Sequence, residues 1–247
     1  MIITRNIFYI FFSLSCLCSC HGQNQPANTE GILRLPEKKI WAHRVNDTTT
    51  AKVKEQLFSG LEMDIVYSSY QNKLFVCHNE EDTVNNLTLN QWFSALKEPK
   101  KNGYWLDIKN LNYYTADAIV MLVREVLEKY DIVDQAFLES SSEKAIKKVK
   151  ELGLHTSLWV DNFHWSNIDT VDWVNKVTKQ IQVSHPDALS CEYRMFEALT
   201  EHFPDQFIFL WHTPAALNEE NANLTRRLCK HPSVKIVLVD YDHPITY

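Results

Sequence analysis

The sequence predicts an α/β protein, a TIM (β/α)8 barrel of parallel strands. Three observations point there. Short apolar runs alternate with amphipathic segments from Lys39 to Val239, and strand alternating with helix implies a parallel sheet. Leaving out one extra run, eight strands can be counted, and eight repeats suggest closure. Polar residues also gather at the C-terminal ends of these runs, where barrel enzymes carry their catalytic groups. An open doubly wound sheet is the alternative. It has little reason to place acidic residues after nearly every strand.

The elements follow in order. Lys39–His43 reads as the first strand, Thr50–Phe58 as a helix and Leu61–Tyr67 as the second strand. Lys73–His78 is the extra strand, reached by a polar turn at Gln71-Asn72. Thr88 starts a helix through Lys97, with Leu89, Trp92, Phe93 and Leu96 at helical spacing. Strands are predicted at Tyr104–Ile108, Ala136–Glu139, Thr156–Val160, Ala188–Cys191, Phe207–Trp211 and Val234–Val239. Helices are predicted at Thr115–Tyr130, Ser142–Leu152, Val171–Ile181, Tyr193–His202 and Leu217–Lys230. Asn162–Asp169 reads as an aromatic-rich loop.

Residues 1–20 read as a secretory leader. Arg5 precedes an apolar run, Ile7–Leu14, too short to span a bilayer. Leu17-Cys18-Ser19-Cys20 is similar to a bacterial lipoprotein processing box. Cys20 would become the lipidated first residue, followed by a tether (21–36) and the barrel domain (37–247). That predicts an exported, membrane-anchored lipoprotein; the alternative is ordinary cleavage without lipid. Beside Cys20, only Cys77, Cys191 and Cys229 follow the leader, and their spacing fits no zinc motif or disulfide framework. One bridge among them is possible but unassignable. Cys77 beside His78 could suggest a thiol nucleophile, but neighbours on a strand face opposite sides, so Cys77 is expected in the core or outer layer.

A net charge of −6 gives no support for nucleic-acid binding. With only five glycines, no long Gly-rich phosphate loop is present. A monomer is expected.

Glu62-Met63-Asp64 and Asp107-Ile108-Lys109 carry the chemistry. Side chains two apart on a strand share a face, so each run aims two polar groups at one point. Three carboxylates suit a hard divalent cation. His43 and His78 can move protons. Arg44 and Lys109 can hold a phosphate. That inventory describes metal-assisted attack on a phosphodiester. Trp159 and Trp211, at strand ends, are candidate substrate walls, and Trp159, Phe163, His164 and Trp165 could line an apolar entrance. Glu139 and Glu192 could extend the site or pair with Lys109 or Arg194.

Ala-His43-Arg44-Val-Asn46, Gly60-Leu-Glu62-Met-Asp64, Val-Cys-His78 and Leu-Asp107-Ile-Lys109 resemble the glycerophosphodiester phosphodiesterase and sphingomyelinase D superfamily, over about residues 39–110. Trp41-Ala-His43, Val45-Asn46 and Leu-Asp-Ile-Lys also look like the menorin family. The resemblance implies that Glu62, Asp64 and Asp107 bind one divalent cation, Mg²⁺ or Ca²⁺. It makes His43 and His78 the acid–base pair, with Arg44 and Lys109 on the phosphate. The substrate would be a small-molecule or lipid phosphodiester, and the reaction could pass through a cyclic phosphate. Two departures stand out: Asp107 where glycerophosphodiesterases usually carry Glu, and Val45 where they usually carry Gly.

Each motif alone has a plainer reading. Glu-X-Asp is common on surfaces, and a His after a strand is often a hydrogen-bonded loop residue. The case rests on their co-occurrence, in order, at strand ends. A surface binding protein that retains the ion pocket, and a two-carboxylate glycoside hydrolase, are the rival functions. The second gives Arg44, Lys109 and two histidines no task.

Overall fold

The computed structural model describes residues 32–246 except 86, 167, 215 and 216. The leader, Cys20 and residues 21–31 of the tether lie outside the described residues. Among the described residues nine strands are present: β1 (Ile40–Ala42), β2 (Gly60–Ser68), β3 (Lys73–Val76), β4 (Gly103–Ile108), β5 (Ala136–Ser140), β6 (His155–Trp159), β7 (Ala188–Glu192), β8 (Ile208–Trp211) and β9 (Val234–Val239). The helices are α1 (Thr48–Leu57), α2 (Leu89–Ser94), α3 (Ala116–Tyr130), α4 (Glu143–Glu151), α5 (Phe163–Ser166), α6 (Thr170–Ser184), α7 (Phe196–His202) and α8 (Glu219–Lys230).

Eight strands run parallel in the order β1-β9-β8-β7-β6-β5-β4-β2, and β1 pairs with β2 to close the barrel. The extra strand, β3, lies antiparallel against the upper half of β2, from Ile65 to Ser68. The first strand is only three residues long and meets β2 at Ala42 and Leu61. Above that point the β2 edge is taken up by β3.

The expected aromatic-rich loop contains one turn of helix, α5. Asn162 initiates it by accepting the His164 N–H at 2.9 Å. Phe163 packs edge-on against Trp173, ring centres 5.5 Å apart, which ties the turn to α6. Cys77, Cys191 and Cys229 are all free and buried, so no bridge joins them.

Period-two alternation sorts the strands into an outer and an inner face. The outer face packs on the helices. Along the inner face the chemistry changes with height. Trp41, Trp105, Phe137, Ala188, Phe209 and Ile236 form an apolar lower core. Two residues further up the same strands stand Asp107, Glu139, Ser190 and Trp211. Leu33 and Leu35 pack against the lower core, and the Arg34 N–H donates to the Asp134 carbonyl at 2.6 Å. The fold is therefore engaged before residue 37.

Trp41 fills the lower core because two strands make way for it. A Cβ on Gly60 would lie 2.0 Å from the Trp41 ring, and one on Gly103 would lie 2.4 Å from it. Both glycines open their strands, so the absence of a side chain lets the indole reach the barrel floor. No helix among the described residues is long and apolar enough to cross a membrane.

Candidate active site at the upper rim of the barrel

Glu62 and Asp64 leave β2 on the inner face, and Asp107 leaves the adjoining β4 at the same height, Cα-paired with Asp64. One carboxylate oxygen from each of the three lies within 4.8 Å of the others. Glu62 and Asp64 are buried, while the Asp107 side chain is 27% exposed. Three anionic groups this close repel one another. The protein answers with hydrogen bonds, an ammonium and bound protons.

Lys109 supplies the ammonium. Its Nζ lies 2.6 Å from Asp64 Oδ1 and 2.5 Å from Asp107 Oδ2. Burial lowers the Lys109 pKa, but the two carboxylates outweigh it and raise the value above the usual lysine range. Asp64 shows the converse. Burial raises its pKa, and Lys109, Asn46 and His78 together bring it below the ordinary value. Asp107 stays above its ordinary value: burial raises it, Lys109 offsets only part, and Asp64 adds to the rise. Glu62 is raised furthest of the three, by burial and then by Asp64 and Asp107. The Arg44 N–H, donating to Glu62 Oε2 at 2.6 Å, opposes that rise.

That N–H is aimed by an unusual backbone. Arg44 sits at φ 52°, the left-handed region where a side chain costs about 1–2 kcal/mol. The turn sends Val45 inward, where it is fully buried and its N–H donates to the Glu62 carbonyl at 2.8 Å. It also brings Asn46 over Asp64. Asn46 Nδ2 donates to Asp64 Oδ2 at 2.7 Å, and Asn46 Oδ1 accepts the Asp64 N–H at 2.9 Å. With φ > 0 carried by Arg44, position 45 has no need of glycine. The Arg44 side chain itself is exposed at the cavity wall.

The two histidines are held alike. His43 Nδ1 lies 2.8 Å from Asp240 Oδ1, and its Nε2 lies 3.7 Å from Glu62 Oε2. His78 Nδ1 lies 3.1 Å from Asp64 Oδ2, with its side chain 52% exposed. A carboxylate on Nδ1 favours the Nδ1–H tautomer and leaves Nε2 as the proton acceptor. Asp240 is in turn kept below the usual carboxylate pKa: burial works against this, but His43, Arg44 and Lys54 prevail.

His43, Arg44, Glu62, Asp107 and Lys109 line a cavity of about 210 Å³ together with Trp159 and Trp211. The two indoles are nearly parallel, 6° apart, with centres separated by 6.3 Å. Both Trp residues are therefore walls of the cavity. Glu139 also lines it, but bonds to Trp105 Nε1 at 3.0 Å and to the Ser190 hydroxyl rather than to Lys109. Burial and then Asp107 push its carboxyl pKa up to about 8.

Other candidates belong elsewhere. Glu192 pairs with Arg194 at 2.9 Å and with Asn162 at 3.0 Å. Asp161 pairs with Lys176. Trp165 is exposed against the Arg194 guanidinium, and Phe163 joins the core, so they do not line the cavity. Cys77 is buried with Val66 and Phe75, in a cluster separate from the barrel core. His212 is buried beside Tyr193.

No family model matches the chain, and no curated protein matches it. Among solved structures, it is similar to a phosphodiesterase from Oleispira antarctica in complex with the product sn-glycerol-3-phosphate. The TM-score is 0.61 at 13% identity, over 84% of this chain and 94% of that one. A glycerophosphodiester phosphodiesterase from Parabacteroides distasonis gives 0.58 at 13% identity, over 84% and 94%. The chain has the barrel fold of glycerophosphodiester phosphodiesterases. A glycerol uptake operon antiterminator regulatory protein from Listeria monocytogenes also shares the barrel, with a TM-score of 0.52 at 14% identity over 86% and 97%. Fold alone therefore does not choose the function, and the site must do so.

Asp240 follows the last strand and Asn46 belongs to the His43-Arg44 motif, and the sequence assigns neither a partner. The structure makes Asp240 the acid behind His43 and Asn46 the clamp on Asp64. Polar residues at the ends of β1 and β9 were the available signal, since those strands are neighbours in a closed barrel.

Proposed function

We propose that the protein is a divalent-metal-dependent phosphoric diester hydrolase. The carrying observation is the single cluster in which Glu62, Asp64 and Asp107 converge while His43 and His78 are each oriented by a carboxylate. The donor set fits the metal: three hard carboxylate oxygens suit Mg²⁺ or Ca²⁺ and suit no soft ion. When bound, the ion supplies neutralising charge for the phosphate, usually the largest kind of catalytic contribution.

The chain's own residues do the rest. Lys109 and Arg44 hold the non-bridging oxygens. One imidazole takes the proton of the attacking hydroxyl at Nε2, and the other returns a proton to the leaving alkoxide. Each such transfer is worth about 10²–10⁴-fold. A neighbouring hydroxyl of the substrate can serve as nucleophile, giving a cyclic phosphate with the advantage of intramolecular attack. The product complex of the Oleispira phosphodiesterase supports a small glycerophosphodiester as substrate. The apolar leader and the box ending at Cys20 support export and a lipid anchor.

Turnover of bis(p-nitrophenyl) phosphate and a panel of glycerophosphodiesters tests the reading, with Mg²⁺, Ca²⁺ or EDTA. Activity that EDTA abolishes and His43→Ala reduces by at least about 10²-fold is the expected result. Divalent-ion binding with no turnover of any diester would instead identify a binding protein.

A further inference from the structure

The cluster stands at the junction of two cavities. The second, about 290 Å³, shares Asp107, Lys109, Glu139 and Trp159 with the first and then diverges over the ends of β4 and β5. Its own walls are Ile108, Leu111, Ser140 and Ser141. A phosphodiester carries two alcohols on one phosphorus, so a phosphate held between Lys109 and Arg44 directs one alcohol each way.

The chemistry of the second arm is narrow. Its charged pair, Asp107 and Lys109, is already joined at 2.5 Å. Both Glu139 oxygens are taken, by the Trp105 N–H and the Ser190 hydroxyl. Ser140 is occupied too: its hydroxyl donates to the Leu111 carbonyl at 3.0 Å and accepts the Ser142 N–H at 3.1 Å. Ile108 and Leu111 are buried in the core, which leaves the exposed Ser141 hydroxyl and the Trp159 indole to meet a ligand. No unpaired charge selects an ammonium or a carboxylate. A largely apolar groove lined by Leu74, Leu89, Leu122 and Val126 lies apart from this arm, outside the barrel between β3, α2 and α3.

We propose that this arm is the subsite for the second alcohol of the diester, and that it takes a small, uncharged, hydroxylated group resting on Trp159 and bonded to Ser141. The proposal rests on the phosphodiesterase reading and adds to it the residues that choose the headgroup. Ser141 thereby becomes a specificity determinant on a loop that no part of the acid–base machinery uses.

The test compares three diesters of glycerol phosphate whose second alcohol is glycerol, choline or methanol. The wild type should favour the glycerol diester over the choline diester in kcat/KM. Ser141→Phe, at an exposed position where folding tolerates bulk, fills the arm. It should lower kcat/KM for the glycerol diester at least about tenfold, about 1.4 kcal/mol or more in transition-state binding, and leave the methyl diester within about twofold, about 0.4 kcal/mol or less. Ser141→Ala should cost the glycerol diester a few-fold through KM, the size of one neutral hydrogen bond, about 0.5–1.5 kcal/mol. Equal losses on the glycerol and methyl diesters, or none on either, would overturn the subsite while the hydrolase reading stood. No turnover of any diester by the wild type would overturn both.

Discussion

Lys109→Met removes the one ammonium between Asp64 and Asp107 and keeps most of the side chain's volume. Breaking a fully buried ion pair from one side costs about 3–5 kcal/mol, and an exposed pair is worth about 0–1. This site lies between those limits, since Asp64 is 4% exposed while Lys109 and Asp107 are each a little over a quarter exposed. Asp64 also keeps Asn46 and His78. A loss of about 2–3 kcal/mol is therefore expected, or roughly 5–10 °C in melting temperature for a chain of this size. Without Lys109, burial is less opposed at both acids, so each holds its proton to higher pH in the folded variant than in the wild type. Stability that depends on those protons is lost as pH rises through the folded values, so the deficit should grow as pH rises above the ordinary carboxylate range.

A divalent ion should reverse much of this loss. A ligand at about 100 times its Kd adds about 2.7 kcal/mol to stability. In the wild type the ion competes with the ammonium for Asp64 and Asp107; in Lys109→Met it does not. Thermal melts in EDTA and in excess Mn²⁺ should show a larger metal-induced shift in the variant. Equal melting of the two proteins in EDTA, with equal metal shifts, would refute the account of Lys109 as the group that neutralises the acidic cluster.

Asp240→Asn should lower kcat by about 10–10³-fold while His43→Ala lowers it further, because the amide cannot hold the Nδ1–H tautomer of the imidazole; steady-state kinetics check the order. The raised pKa of Glu62 couples metal binding to proton release, so titration calorimetry in buffers of different ionisation heat should report net release, and Glu62→Gln should reduce it. Glu139, pushed up to about 8, binds its proton more tightly in the folded state, and its contribution should fall away as pH rises from about 4.5 to about 8; Glu139→Gln flattens that slope in denaturant titrations. Asp187 has the opposite sign. Held near a pKa of about 2 despite burial by His155, Lys150 and the Thr156 N–H, it contributes about 2 kcal/mol that is lost as pH falls from about 4 to about 2, and Asp187→Asn removes that acid limb. Gly103→Ala drives a Cβ into the rigid Trp41 indole and should cost about 1–3 kcal/mol or more, partly recovered by Trp41→Phe in the same chain.

The sequence made one kind of fact legible and hid another. Alternation tells which residues of a strand share a face, so Glu62 with Asp64, and Asp107 with Lys109, could be placed on one face before any fold was known. It does not tell which residue of the neighbouring strand lies beside them, because register is set by packing along the whole pair. Two of the unforeseen contacts are of this second kind. Asp240 reaches His43 across 197 positions. Ser190 reaches Glu139 from β7, with β6 between them. The Asn46 clamp depends instead on one left-handed residue, Arg44, whose backbone no propensity would assign to φ > 0. Strain at such a point persists only where the surroundings over-determine it. Here they do: the turn delivers the Arg44 N–H to Glu62, the buried Val45 to the core and Asn46 to Asp64, three contacts that one regular residue in its place would break together.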